Sequence, residues 1–415
     1  MRSPQHVLDE VPPEIRRVLL GIMLNATGGG LTLSLLMVYL TTIRGMSPTT
    51  GGLLLAWEAV VVLLVAPTVG TLTDRIGPVR LMVPAVLLQA LGVAGWSLVH
   101  TPLQAFAIAT FTSLTGATLW PAQSTLLAQL TPAAHRNRTF GLSFMFLNLG
   151  YGVGGLVSSM IVRDHDAPRF EFMYRIDGIT YLALALAIIS VRGHAQAVHA
   201  AIDRSGKDEG YREVLHDRRL WLLLAGGVVM FTCGYGGFNA GVPLFATTHA
   251  HLSVHWLGLV YGANSFTIVA VQPMVIRRVV GRSRTLLLAS VGLLWAVSWA
   301  MLGASALLLP AVLLILGQVV FATGESIWAP VGPTLVNAMA PDHLRGRYNA
   351  VIGLQWGISG VLGPAITGFM LGHGLATAWW VTMATGASVG SLLLLLLRRE
   401  LDPVMDGRVA ESTHD

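Results

Sequence analysis

Two carboxylates stand where water is scarce. Glu325 lies in FATGESIWAPVGPTL, residues Phe321 to Leu335, inside an apolar run that begins near Leu307. Glu58 lies in LLLAWEAVVVLL, inside another such run. No Lys or Arg shares either interior. A carboxylate stripped of water and left without a counter-charge favours its neutral form, and water or a nearby cation restores the ionised one. Such a group can trade a proton for a cation, and ionisable residues inside membrane spans mark ion or substrate pathways by default. Glu325 is therefore the expected proton-coupling and cation-contacting residue, with Glu58 second to it. The bland alternative for Glu325 is a protonated acid hydrogen-bonded to a neighbouring helix, and for Glu58 a place near the outer surface or a bond to Ser or Asn. Asp177, at the expected start of a span and beside Arg175, is read as half of a surface pair.

The elements that must hold these acids follow from composition. The 415-residue chain is 53% hydrophobic and 11% charged, with a mean hydropathy of +0.65. Soluble domains carry about 25% charged residues. Repeated apolar runs are long enough to cross a hydrocarbon core of about 30 Å as helices. Lipid leaves open backbone unsatisfied, and alternating strand patterns are absent, so helices are required. Twelve spans are expected. The first six are Val18–Leu40, Gly51–Thr71, Leu81–Val99, Leu103–Leu130, Thr139–Val162 and Tyr174–Val191. The second six are Leu220–Ala240, Trp256–Ile276, Thr285–Leu302, Leu307–Ala340, Tyr348–Leu371 and Ala376–Leu397. The fold class is an all-α membrane protein, with bundles at 18–192 and 220–397 and a central loop at 193–219. The terminal segments are 1–17 and 398–415.

With the N-terminus inside, all but Arg44, Arg163, Arg169 and Arg175 of the 26 Lys and Arg residues fall on the inner side. The positive-inside rule then places both termini in the cytoplasm of a multi-pass protein in the plasma membrane. The same scatter over short loops accounts for the net charge of +5 and argues against nucleic acid as a partner. Cys233 is the single cysteine, so no disulfide forms within the chain. The first apolar run is too long for a signal-peptide core and is expected to remain as a span.

The two halves echo each other. Pro121, Thr125, Leu126, Pro132, Arg136, Arg138 and Gly154 recur at one fixed offset as Pro330, Thr334, Leu335, Pro341, Arg345, Arg347 and Gly363. GPVRLM (Gly77–Met82) is echoed by GRSRTL (Gly281–Leu286) at a slightly different offset. Duplicated six-span halves with a mid-membrane site are a common plan for secondary transporters.

The loop GTLTDRIGPVR, Gly70 to Arg80, resembles the G-x-L-x-D-R-x-G-x-x-R signature of the major facilitator superfamily, in the expected inside loop. GESIWAP, RGRYNA and YRIDGITYL resemble its drug/proton antiporter branch. The chain departs from that branch in two places. LTGATLWPAQSTLL has no arginine in the fourth span, and the fifth-span Gly-Pro motif is reduced to NLGYGVGGL, while GVLGPAITG stands in the eleventh. The resemblance implies that Gly70, Asp74, Arg75, Gly77 and Arg80 form a conformational latch, for which Arg345 and Arg347 are candidate partners. It also implies a cavity lined by the first, fourth, seventh and tenth spans, which offer Asn25, Thr27, Trp120, Gln123, Tyr235, Phe238, Asn239, Glu325 and Trp328. The second, fifth, eighth and eleventh add Glu58, Asn148, Asn264, Gln355 and Trp356.

The expected activity is secondary active transport: proton-coupled efflux of hydrophobic or cationic small molecules by alternating access. The alternative within the fold is another cargo, such as a metabolite, peptide or lipid. A membrane sensor or an intramembrane enzyme is a remoter alternative, since no nucleophile–base pair stands inside a span. No Walker-type phosphate loop is present, which argues against an ATP-driven pump. His249, His251 and His255 share one outside loop but lack the ligand number of a fixed metal site. No cofactor, no metal and no catalytic residue is expected. The partners are a small-molecule substrate, protons and the lipid bilayer, around a monomer.

Overall fold

Backbone that lipid surrounds must satisfy its own hydrogen bonds, and every regular element among the described residues is helical. The computed structural model describes residues 12–33, 35–131, 136–163, 165–193, 214, 216–279, 281–341 and 345–408. In chain order the helices are α1 (Pro13–Thr32), α2 (Pro48–Ile76), α3 (Pro78–Gly95), α4 (Pro102–Gly116), α5 (Leu119–Leu130), α6 (Arg136–Ile161) and α7 (Ala167–Ser190). They continue as α8 (Arg218–Phe231), α9 (Gly237–Thr248), α10 (His255–Val279), α11 (Arg284–Ser305), α12 (Pro310–Met339), α13 (Arg345–Gly372) and α14 (Ala376–Leu397). Wide π turns, Tyr39–Ile43 after α1 and Thr232–Gly236 between α8 and α9, carry two of the spans through.

Eleven stretches among the described residues are long and apolar enough to cross a bilayer. The remaining expected span, Leu103–Leu130, is divided. Its pieces, α4 and α5, have 15 and 12 residues and break at Ala117 and Thr118. Pro121 favours the break, because a proline ring clashes with the carbonyl four residues back, here Ala117.

Side-chain caps set several helix starts. Thr101 and Gln104 form a reciprocal capping box at α4. Asp166, Asp217 and Ser283 accept backbone N–H groups at the starts of α7, α8 and α11. Each such cap contributes about 1 kcal/mol.

The chain divides into two compact units. One comprises residues 1–46, 57–206 and 257–262, and the other 47–56, 207–256 and 263–415. In the first unit α1 packs on α6 and α7, and α3 packs on α7, α4 and α5. Ile15, Val18, Leu19, Met82, Val86, Leu126, Phe146, Leu184 and Ile188 fill its core. In the second unit α11 lies against α12 and α14, and α8 against α13 and α14.

The second unit also carries a docked tail. Asp406 is wholly buried. Its carboxylate accepts from Ser283 Oγ at 2.6 Å, from Thr285 N at 2.9 Å and from Thr285 Oγ1 at 2.8 Å. It also pairs with Arg408 Nε at 2.9 Å. An acid borrowed from the tail thus caps the start of α11, where the echoed loop GRSRTL has none of its own.

Candidate functional site

The chemistry of the second unit centres on α12. Glu325 is only 9% exposed. Its Oε2 accepts a hydrogen bond from Asn264 Nδ2 of α10 at 2.6 Å, and the Tyr235 hydroxyl is a second side-chain partner. Phe321 and Trp328 precede and follow Glu325 by four and three residues, which sets all three on one face of α12. Tyr235 sits in the π turn that joins α8 to α9.

Rings cluster about Tyr235, the hydroxyl partner of this carboxylate. Tyr235 lies 5.1 Å from Phe231, 5.4 Å from Trp295, 6.0 Å from Phe321 and 4.9 Å from Trp356, centroid to centroid. Phe231 meets Trp328 at 4.9 Å and Trp356 at 4.4 Å, both edge-on. Phe321 stacks on Trp295 and on Phe238, each at 4.8 Å. Trp295 is pinned by its own Nε1–H, which donates to the Phe321 carbonyl at 3.1 Å. Further along α12, Gln272 Nε2 donates to the Ser326 carbonyl at 3.2 Å.

Glu325, Asn264, Tyr235, Phe238, Trp328 and Trp356 thus come together in one unit. Gln355 is buried against Gly227 of α8, with its Oε1 unpartnered among the described residues. Asn239 is exposed. Phe231, Trp295 and Phe321 complete the ring cluster and were not among the expected lining residues. Their spacing along the sequence matches ordinary apolar helix faces, so only the folded arrangement reveals them.

In the first unit Thr27 Oγ1 donates to the Met23 carbonyl at 2.9 Å, and Asn148 Nδ2 donates to the Phe144 carbonyl at 2.9 Å. Both groups are spent on their own helices. Asn25 has a buried Nδ2 without a partner among the described residues. Trp120 is 65% exposed and Gln123 is half-buried. Glu58 is half-buried on α2, with no hydrogen bond or ion pair among the described residues.

Asp177 differs from the surface pair expected of it. It is a third carboxylate inside a span, 3% exposed, roughly 15 Å of helical rise beyond Ala167. Arg175 pairs instead with Glu171 at 3.4 Å and reaches Ser97 Oγ at 3.2 Å. The expectation failed because apolar content alone placed the helix start at Tyr174. The Asp166 cap opens the helix earlier, under the charged residues Arg169, Glu171 and Arg175.

In the loop between α2 and α3, Gly77 has φ 88° and ψ 152°, a conformation essentially confined to glycine. Arg75 and Arg80 are exposed. The side chains of Asp74, Arg345 and Arg347, and the surroundings of Gly70, lie outside the described part of the structure. Among the histidines, His249 stacks on Phe245, and His255 Nδ1 is 2.5 Å from Ser253 Oγ.

Membrane-length helices in two bundled units, with carboxylates held inside the spans, define a multi-pass helical membrane protein of the transporter type. The chain belongs to the Major Facilitator Superfamily, whose sequence profile matches residues 18–315. It is 21% identical over 364 residues to the uncharacterized MFS-type transporter YqjV of Bacillus subtilis (strain 168), covering 87% of each chain. It is also 21% identical over 324 residues to a Na(+), Li(+), K(+)/H(+) antiporter of Planococcus maritimus, covering 71% of this chain and 75% of that one. Over 153 residues, 36% of each chain, it is 26% identical to the multidrug resistance protein MdtH of Edwardsiella ictaluri (strain 93-146). Its fold matches that of the peptide transporter POT solved in complex with sulfate, with TM-score 0.77 at 14% identity, covering 98% of this chain and 100% of that one. The chain is therefore a transporter, and family and fold are not those of an enzyme.

Proposed function

We propose that the chain is a secondary active transporter that exports hydrophobic, cationic small molecules in exchange for protons. The observation that carries this reading is the Glu325 carboxylate, bonded to Asn264 and to Tyr235, whose ring belongs to a cluster with Phe231, Trp328 and Trp356. An organic cation gains about 0.5–2 kcal/mol from each ring face it meets and a further attraction from an ionised carboxylate. A proton on Glu325 removes that second attraction. The two ligands then exclude one another at a single residue, which is the condition for exchange. Aromatic walls suit a large apolar cation better than a small hydrated one.

The relatives lend support from a distance. One is named for exchange of alkali cations with protons and another for multidrug resistance. Glu58 is the second proton-coupling residue in this reading. Gly70, Asp74, Arg75, Gly77 and Arg80 form the latch that times the cycle. Alternating access exposes Glu325 to one side of the plasma membrane and then the other. In this reading the halves at 18–192 and 220–397 rock as bundles, in a monomer with both termini in the cytoplasm.

The test is uptake of a fluorescent lipophilic cation into proteoliposomes under an imposed pH step. The wild-type chain accumulates the dye only while the step lasts, and Glu325→Gln accumulates no more than empty vesicles. Undiminished pH-driven accumulation by Glu325→Gln overturns the assignment.

A further inference from the structure

The proposed exchange at Glu325 makes no use of a second buried acid in the other unit. Asp177 of α7 faces α1, where Thr32 Oγ1 donates to its Oδ2 at 2.6 Å. Thr180 Oγ1 stands 3.5 Å from Oδ1 and donates to the Asp177 carbonyl at 2.7 Å. No Arg, Lys or His among the described residues is hydrogen-bonded or ion-paired to this carboxylate. Its other titratable neighbours are Tyr174 and Tyr181 on its own helix, Tyr151 on α6 and, through Tyr174, Tyr39 and Glu58. The Tyr174 hydroxyl is buried and unpartnered among the described residues.

An ionised carboxylate left without a cation in such a place costs several kcal/mol. Asparagine would accept the same hydroxyl without that cost, so hydrogen bonding alone gives no reason for an acid here. A metal ion fits poorly. A Cβ placed on Gly28 of α1 would come within 2.7 Å of Asp177 Oδ1, so α1 and α7 are already in contact at this level. An ion would have to part the two helices, whereas a proton needs no space.

A polar network also lies next to Tyr174. Tyr174 packs against Tyr39, 5.0 Å between centroids. The Tyr39 hydroxyl accepts from Arg44 Nη2 at 2.7 Å, and Arg44 in turn pairs with Glu171 at 2.7 Å near the start of α7.

We propose that Asp177 is a proton-binding site of the first unit, separate from Glu325 and lodged between α1 and α7. The proposal rests on the proton-coupled reading only for the use made of the proton in transport, because binding is measured without transport.

The test is infrared difference spectroscopy between acid and alkaline pH on the purified full-length chain with ¹³C-labelled aspartate side chains. The label separates aspartate from glutamate. The expected result is an isotope-shifted carbonyl band of a desolvated carboxylic acid that titrates in the wild type and in Glu325→Gln. That band is lost in Asp177→Asn, and in Thr32→Val it is kept but displaced in frequency. A band that survives in Asp177→Asn overturns the proposal, as does the absence of any such band at every pH. Loss of the band at fixed pH on replacing choline chloride by sodium or lithium chloride also overturns it and marks a metal-ion site. Should Asp177→Asn fail to fold, Thr32→Val decides alone, and an unchanged frequency refutes the assignment. Flux through Glu325→Gln is scored separately, so either reading can fail while the other stands.

Discussion

Trp356 offers a graded test of the aromatic site. Its ring meets wholly buried Phe231 edge-on at 4.4 Å and 89°, and lies 4.9 Å from Tyr235, while 53% of the residue remains uncovered. Phe231 therefore braces the ring from behind and leaves part of it free to meet a ligand. A cation over an aromatic face gains about 0.5 kcal/mol when exposed and about 2 kcal/mol when desolvated. For a half-covered ring a value near 1 kcal/mol is appropriate, which is about fivefold in Kd. Trp356→Leu should weaken binding of tetraphenylphosphonium by about that factor, and Trp356→Phe should restore most of the loss. Calorimetry on the purified chain reads both, with triphenylphosphine oxide as the neutral comparison. The reasoning requires the neutral ligand to lose much less than the cation. Equal losses would reduce Trp356 to apolar packing, and no loss for the cation would remove it from the site.

Three further expectations concern the frame that holds the site. Asp406→Ala leaves the donors of Ser283, Thr285 and Arg408 without their acceptor, so thermal unfolding in detergent should show a loss of about 3–5 kcal/mol; an unchanged melting temperature would refute the tail's role. At Asp217, burial opposes the charge, but hydrogen bonds from Arg219 and Tyr348 outweigh it and hold the carboxyl below the usual range. A group depressed on folding contributes its stability above the unfolded value of about 3.9 and loses it as the pH falls through the folded one. The melting gap between wild type and Asp217→Asn should therefore be level near neutrality and close under acid, and a gap independent of pH would contradict this. Gly77→Ala forces a side chain into φ 88°, at a cost of about 1–3 kcal/mol, and should lower the melting temperature accordingly. A melting temperature equal to wild type would mean that the loop relaxes freely.

Much of the fold was legible because lipid leaves so few choices. Each membrane-length helix falls on an expected span, since hydropathy and backbone satisfaction point the same way. The break between α4 and α5 was legible in Pro121 rather than in the hydropathy pattern, which carries no bend. Glu325 stood out because a lone charge in an apolar run is conspicuous. Its partner Asn264 was among the expected lining residues, but only the packing of α10 on α12 joins the two. Asp177 was misread for the opposite reason, because charged neighbours at a helix start look like a loop. Thr27 and Asn148 show another limit. A polar side chain in a span can face a cavity or bond the carbonyl one turn back, and its residue type is the same in both cases.

The central claim, that one carboxylate exchanges a proton for a cation, is tested most directly by proton release. Tetraphenylphosphonium is added to the purified chain in unbuffered detergent solution while the pH is followed. The account predicts that the wild type acidifies the solution on binding and that Glu325→Gln binds without doing so. Equal acidification by the two proteins, or none by the wild type, would contradict it.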